Sequence, residues 1–216
     1  MKHLRRKSHE LQTNTRTHSS SLMRKPLRVI DDPKIAKVLV DPMRREIVRL
    51  LAEGQKTQSG LARILGLSDP SVGHHLRVLK DAGLIRMARK EAEEHGILQK
   101  YYESNAIVYV IDSSKLPKEV ERYFMPISLE RVRGIMTAAN FLMQKTTEAS
   151  ESEVEDFAKV YALAILDVSS TFSKTWDGTR EELLALVYWK ALIHVLSKHS
   201  ALADNMRELL TRALRP

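Results

Sequence analysis

The sequence predicts a mainly α chain with a small β-wing, arranged as two folded units behind a polar tail. Three observations carry that prediction. Apolar residues recur at helical spacing through most of the 216 residues. Asp-Pro pairs and a Ser-Asp-Pro group punctuate the first half where helices would begin. Two β-prone runs flank a glutamate-rich turn after Gly83. A chain of this length can bury one large core or two small ones.

Residues 1–25 are rich in Ser, Thr, Arg and His and nearly devoid of apolar side chains. Such a stretch buries too little surface to offset the entropy of ordering, so a disordered basic tail is expected. It lacks the apolar segment of a secretory signal, and Met23 is a second candidate start. Its cations either add nonspecific phosphate contacts or form a solvated appendage.

Asp32-Pro33 and Asp41-Pro42 each place a capping acid before a proline in a first helical turn, where the missing N–H costs nothing. The second helix carries Met43, Ile47, Leu50 and Leu51 on one stripe and ends at Gly54. Lys56-Thr57 begins a short strand. A third helix, Gln58 to Leu65, is apolar at Leu61, Ile64 and Leu65 and stops at Gly66.

One tight turn later Ser68-Asp69-Pro70-Ser71 opens a helix that runs through Leu79 and is closed by Gly83. At about 100° per residue from Val72, Leu76 falls near ~40° and Leu79 near ~340°, which defines a buried face. Pro70, Gly73, His74 and Arg77 fall at about 100–200°, so the opposite face is small, polar and positive. Two helices joined by a short turn, the second with a polar N-terminal face, make a helix-turn-helix whose second helix suits a major groove. Leu84 to Arg89 and Ile97 to Tyr102 read as two strands around a polar tip, the wing, with Ile107 to Ile111 as a third strand. The expected architecture is a winged helix-turn-helix domain over residues 26–115, followed by a helical bundle over 116–216.

Asp41 to Ile47 and Leu61 to Ile85 resemble the ArsR-type winged-helix regulators, most specifically in the phrase from His74-His75-Leu76 to Ala82-Gly83-Leu84. The likeness covers roughly residues 30–112. The wing with Lys100-Tyr101-Tyr102 looks most like archaeal members that carry a helical C-terminal domain. The resemblance implies a homodimer on a two-fold-related operator. Gly73 stands where that family usually has serine or another polar residue, which costs the helix up to about 1 kcal/mol relative to alanine and leaves room for a close DNA backbone. The metal-sensing branch places paired cysteines near this helix. This chain has none, so thiolate sensing is excluded.

Candidate contact residues follow. Arg77 and His74 project from the exposed face and either reach bases or phosphate or form a solvated helix face. Ser68 and Ser71 either cap the helix or donate to phosphate. His75 lies on the flank of the buried stripe, as a packed histidine or a phosphate contact. Arg44 and Arg45 contact the backbone or are solvated. The wing tip, Glu91 to His95, carries three glutamates that phosphate would repel. Either its flanks Arg86, Arg89, Lys90 and Lys100 make the contacts, or the wing serves another purpose.

The charge distribution fits either a first half that faces a polyanion or a chain whose positive charge serves solubility alone. The net charge of +8 divides into +6 over residues 1–25, +3 over 26–115 and −1 over 116–216. The absence of cysteine removes disulfides and thiol nucleophiles and fits a cytoplasmic protein. The longest apolar run, Leu183 to Trp189, is far short of the roughly 20 residues a membrane span needs. Adjacent His74 and His75 point about 100° apart, and His194 and His199 are poorly spaced on a helix, so no metal site is expected. No phosphate loop, dinucleotide fingerprint, serine elbow or zinc-protease motif is present. No catalytic residue and no cofactor is expected, and the chain is not read as an enzyme.

In the second half Pro117 and Pro126 bracket a connector. Ser128 is expected to cap a helix with Leu129, Val132, Met136, Ala139 and Met143 as a seam. Ser152 and Glu155 form an expected capping box before a second seam of Val154, Phe157, Tyr161, Ala164 and Val168. Arg180 to His199 is apolar nearly all round at Leu183 to Trp189 and is expected to be central, with a last amphipathic helix over Leu202, Met206, Leu209 and Leu210. The seams pair within one chain or with a second subunit. Asp167 and His194 are polar residues in apolar stretches, either locally bonded or part of a ligand pocket. The expected function is a sequence-specific double-stranded DNA-binding transcription regulator, a repressor, acting as a homodimer through the C-terminal helices, its effector open. The alternative is a protein-interaction module that uses the same fold without reading sequence, which the acidic wing tip favours.

Overall fold

The structure is a computed structural model and describes residues 24–92, 98–143, 150–172 and 175–198. The tail over 1–23, most of the wing tip, His199 and the expected last helix lie outside the described residues.

The first half contains β1 (Lys25–Ile30), α1 (Pro33–Val38), α2 (Pro42–Glu53), β2 (Lys56–Thr57), α3 (Gln58–Leu65), α4 (Asp69–Asp81), β3 (Ile85–Ala92), β4 (Leu98–Ser104) and β5 (Ala106–Ile111). Each helix starts where a short polar side chain meets orphan N–H groups. The Asp32 carboxylate accepts from the Lys34 N–H at 2.8 Å, and Asp41 accepts from Met43 at 2.8 Å and Arg44 at 3.3 Å. Thr57 Oγ1 accepts from Gly60 at 3.0 Å, and Ser68 Oγ from Ser71 at 3.4 Å. Gly66, at φ +65°, ends α3, and Gly83, at φ +66°, turns the chain from α4 into β3; both sit where a side chain would be strained.

The wing sheet has strand order β2-β4-β3, with both pairings antiparallel. The expected third strand, Ile107 to Ile111, does not join it. As β5 it pairs in parallel with β1, Leu27 opposite Val108 and Ile30 opposite Ile111. The sequence reading had no β1, and Lys25, read as the end of the tail, is its first residue. A continuous apolar run such as Ala106–Ile111 is what a strand covered on both faces requires. Val108 and Val110 pack toward the C-terminal helices, while Tyr109 and Ile111 pack toward the helix-turn-helix core. That second core gathers Ile30, Leu39, Ile47, Leu51, Leu61, Val72, Leu76, Leu79 and Leu84, so the face of α4 predicted to be buried is buried.

A 3₁₀ turn (Ser113–Lys115) and α5 (Lys118–Glu121) lead to α6 (Met125–Met143), α7 (Glu151–Ser170) and α8 (Arg180–Lys198). Helix α6 begins three residues before Ser128, so Ser128 is not its cap; the N–H of Ser128 already donates to the Phe124 carbonyl at 3.2 Å. Helix α7 also begins earlier than expected. Its capping box is Ser150 with Glu153, the Ser150 N–H donating to Glu153 Oε2 at 2.8 Å and the Glu153 N–H to Ser150 Oγ at 3.3 Å. The sequence holds two overlapping Ser-x-x-Glu registers, and the earlier one puts two acids, Glu151 and Glu153, into the first turn, where the helix dipole favours them.

The α7 seam of Val154, Phe157, Tyr161, Ala164 and Val168 is buried as expected, against Val132 of α6 and Leu183, Val187, Ala191 and Val195 of α8. The expectation of a central α8 is corrected: only one stripe is buried, and Trp189 and Ile193 stand 54% and 58% exposed. Among the described residues no helix is long and apolar enough to cross a membrane.

Candidate nucleic-acid interface

With Val72, Leu76 and Leu79 packed inward, α4 turns His74, Arg77 and Lys80 to solvent and leaves Ser71 partly exposed. None of the three basic residues has an ion-pair partner among the described residues. The Ser68 hydroxyl serves as the helix cap. An anion approaching α4 meets the helix N-terminus, with Asp69 in its first turn, and the exposed Arg77 farther along the same helix.

The remaining α4 residues hold the helix in place. Gln58, at the start of α3, donates from Nε2 to the Asp69 carbonyl at 2.8 Å, and a Cβ on Gly73 would sit 2.9 Å from that same Nε2. The space at Gly73 is thus occupied by the end of the Gln58 side chain. His75 is 15% exposed, with Nδ1 3.7 Å from Asp41 Oδ2; Arg44 Nε is 3.4 Å from that same oxygen. The packed reading of His75 is the one the geometry supports. One carboxylate therefore caps α2 and faces side chains from both α2 and α4.

Arg44 and Arg45 are partly exposed and bonded within the protein. Arg44 Nη1 donates to the Val38 carbonyl at 3.3 Å, and Arg45 Nη1 donates to Leu39 and Val40 at 2.9 and 2.8 Å, satisfying carbonyls at the end of α1.

In the wing the four expected contacts divide in two. Arg86 Nε donates to Glu103 Oε1 at 2.9 Å, and Glu103 is only 4% exposed. Gln55 then bridges Glu103 to Arg89, donating to Glu103 Oε2 at 3.0 Å and accepting from Arg89 Nε at 2.9 Å. Arg89 also pairs with Glu91 and lies 4.0 Å over the Tyr101 ring. These two arginines are occupied within the wing. Lys90 and Lys100 are different. They face one another across the hairpin, both exposed and without ion-pair partners among the described residues. Like charges directly opposite are unfavourable unless an anion lies between them.

Sequence reasoning missed Gln58, Gln55 and Glu103, whose roles depend on tertiary partners, and it saw Asp41 only as a cap. Asp167 and His194 approach to 3.9 Å as a partly exposed pair. Among the described residues no group of three or more metal-ligating side chains is close enough to hold an ion.

Residues 41–87, from α2 to the start of β3, match the family model described as bacterial regulatory protein, arsR family. The transcriptional repressor SdpR of Bacillus subtilis (strain 168) is 41% identical over 56 residues, which are 26% of this chain and 62% of the repressor. A homodimeric winged helix-turn-helix DNA-binding domain from Mycobacterium bovis, described as a possible ArsR-family transcriptional regulator, is 20% identical. It covers 54% of this chain and 85% of its own, at a TM-score of 0.28. Lactococcus lactis ZitR, as a C30AH42A mutant, is 16% identical over 59% of this chain and 74% of its own, at a TM-score of 0.29. These relatives are bacterial, and the archaeal likeness read from Lys100-Tyr101-Tyr102 has no counterpart among them. Over residues 41–87 the chain is therefore similar to ArsR-family helix-turn-helix regulators, and it spans less than two thirds of the curated relative it matches.

Proposed function

We propose that the chain is a sequence-specific double-stranded DNA-binding transcription regulator, a repressor, acting as a homodimer in the cytoplasm. The observation that carries this reading is the solvent face of α4, where Arg77 and His74 stand exposed without ion-pair partners among the described residues. Residues 26–115 read DNA, with Ser71, His74 and Arg77 at the groove and Lys90 and Lys100 on phosphate. Ser68, Gly73, His75, Arg86 and Arg89 shape and hold those elements. Residues 116–216 join the subunits: Trp189 and Ile193 lie one turn apart on the uncovered side of α8, and apolar side chains of this size favour a covered environment. Repression is supported by the 41% identity to SdpR in the matched segment.

The test is fluorescence anisotropy on duplex DNA from the region upstream of the chain's own coding sequence, against a scrambled duplex at fixed salt. Arg77→Ala is expected to remove about 1–3 kcal/mol of specific binding. Equal affinity for both duplexes by the wild type overturns sequence-specific reading of that region.

A further inference from the structure

A cavity of about 230 Å³ lies where α2 and β5 meet α6, α7 and α8. Its walls are apolar at Val48, Ile165 and Val187, yet four arginines, Arg45, Arg49, Arg131 and Arg180, also line it and no acidic residue among the described ones does. Two of these are already committed. Arg45 caps α1, and Arg49 is bracketed by Glu46, at 2.6 Å, and Glu53. Their chemistry is complete without a ligand.

The other two are less fully engaged. Arg180 is 3.5 Å from Glu181, whose own side chain is 66% exposed, and its charge also acts on Glu46. Arg131 is half-buried and has no carboxylate partner among the described residues; its guanidinium lies 4.4 Å over the Tyr188 ring. A cation drawn partly out of water beside apolar walls calls for a counter-charge. We propose that this cavity binds a small monocarboxylate with an apolar body, its carboxylate on the Arg131 fork and its hydrocarbon against Val48, Ile165 and Val187. A carboxylate matches two parallel N–H groups of guanidinium, a neutral alcohol leaves Arg131 uncompensated, and a bare phosphate leaves the apolar walls unfilled.

The position gives the ligand a lever. Helix α2 contributes Arg45, Val48 and Arg49 to the cavity, and the cap of that same helix, Asp41, faces His75 of α4. A ligand bridging α2 to the C-terminal helices therefore bears on the helix that carries Arg77. Only this coupling rests on the DNA-binding reading; ligand binding itself does not.

Octanoate, 4-phenylbutyrate and octanol are titrated into the full chain by calorimetry, with thermal melting in parallel. Saturable binding of at least one carboxylate is expected, tenfold or more tighter than octanol, with a melting midpoint that rises with ligand concentration. Arg131→Gln is expected to weaken it at least tenfold while melting like wild type without ligand, and Arg131→Lys to recover part of it. The site is overturned if neither carboxylate binds by about 1 mM, if octanol binds equally well, or if Arg131→Gln binds as wild type does. Anisotropy with the carboxylate present then reads the coupling. A changed DNA affinity supports it, and unchanged specific binding refutes the coupling while leaving the site. A protein with no DNA preference but saturable carboxylate binding places the failure in the DNA reading alone.

Discussion

Substituting Asp41 separates capping from the contact between α2 and α4. Asp41→Ala removes the acceptor for two N–H groups, at 2.8 and 3.3 Å, a loss of about 1–2 kcal/mol for an N-cap. It also removes the ionic contact to Arg44 at 3.4 Å, between side chains 21% and 29% exposed, and the acceptor 3.7 Å from His75 Nδ1. Discounted for solvent, the Arg44 contact adds about 0.5 kcal/mol. The expected total is about 1.5–2.5 kcal/mol. Asp41→Asn keeps a good cap and loses only the charge, so about 0.5 kcal/mol is expected. Urea unfolding at neutral pH, with equal m-values confirming that the same surface is exposed, measures both. If Asn destabilises as much as Ala, capping is not the larger part and the reasoning fails; if Ala costs less than about 0.5 kcal/mol, neither role operates.

Gly73→Ala is expected to come out within about 0.5–1 kcal/mol of wild type by urea unfolding, because the gain in helix propensity offsets displacement of the Gln58 side chain. Glu103→Leu, which leaves Arg86 without its buried acceptor, is expected to cost about 2–3 kcal/mol, less than for a fully dry pair because the arginine is 29% exposed. Trp189→Glu with Ile193→Glu is expected to yield monomers in sedimentation without lowering monomer stability, since both side chains are more than half exposed. Burial holds the Tyr161 phenol up at about 12. Its folded value lies above its unfolded one, so the native state keeps a proton that the unfolded chain loses near pH ~10. Stability is therefore full below that pH and falls as pH rises toward the folded value; unfolding at pH 9 and 11 is expected to show a smaller fall for Tyr161→Phe.

What was legible in the sequence was local. Ser68-Asp69-Pro70 and the Val72, Leu76, Leu79 stripe set α4 because a cap and a helical period need only neighbouring residues. What was missed depended on distance. Nothing in Lys25–Ile30 announces a strand whose partner begins at Ala106. The pairing of Arg86 with Glu103 follows a hairpin register that includes an irregularity between Met87 and Arg89, which alternation alone does not reveal. The Gln58 amide lies against Gly73, fifteen positions later, a contact that no local pattern reveals. Trp189 looked central because an all-round apolar run states how much surface wants cover, not which neighbour supplies it.

The β1–β5 ribbon gives the two halves a shared wall. Ile111 and Tyr109 belong to one interior and Val108 and Val110 to the other, so neither half owns a complete boundary of its own. Cutting the chain after residue 115 would leave a strand face built for contact open to water, and such a fragment is expected to clump rather than behave as a free-standing reader of DNA. With one strand pair serving as a wall of both interiors, a shift of the helical side is expected to be felt by the other half through Val108–Tyr109–Val110, as two rooms feel a blow to the partition between them.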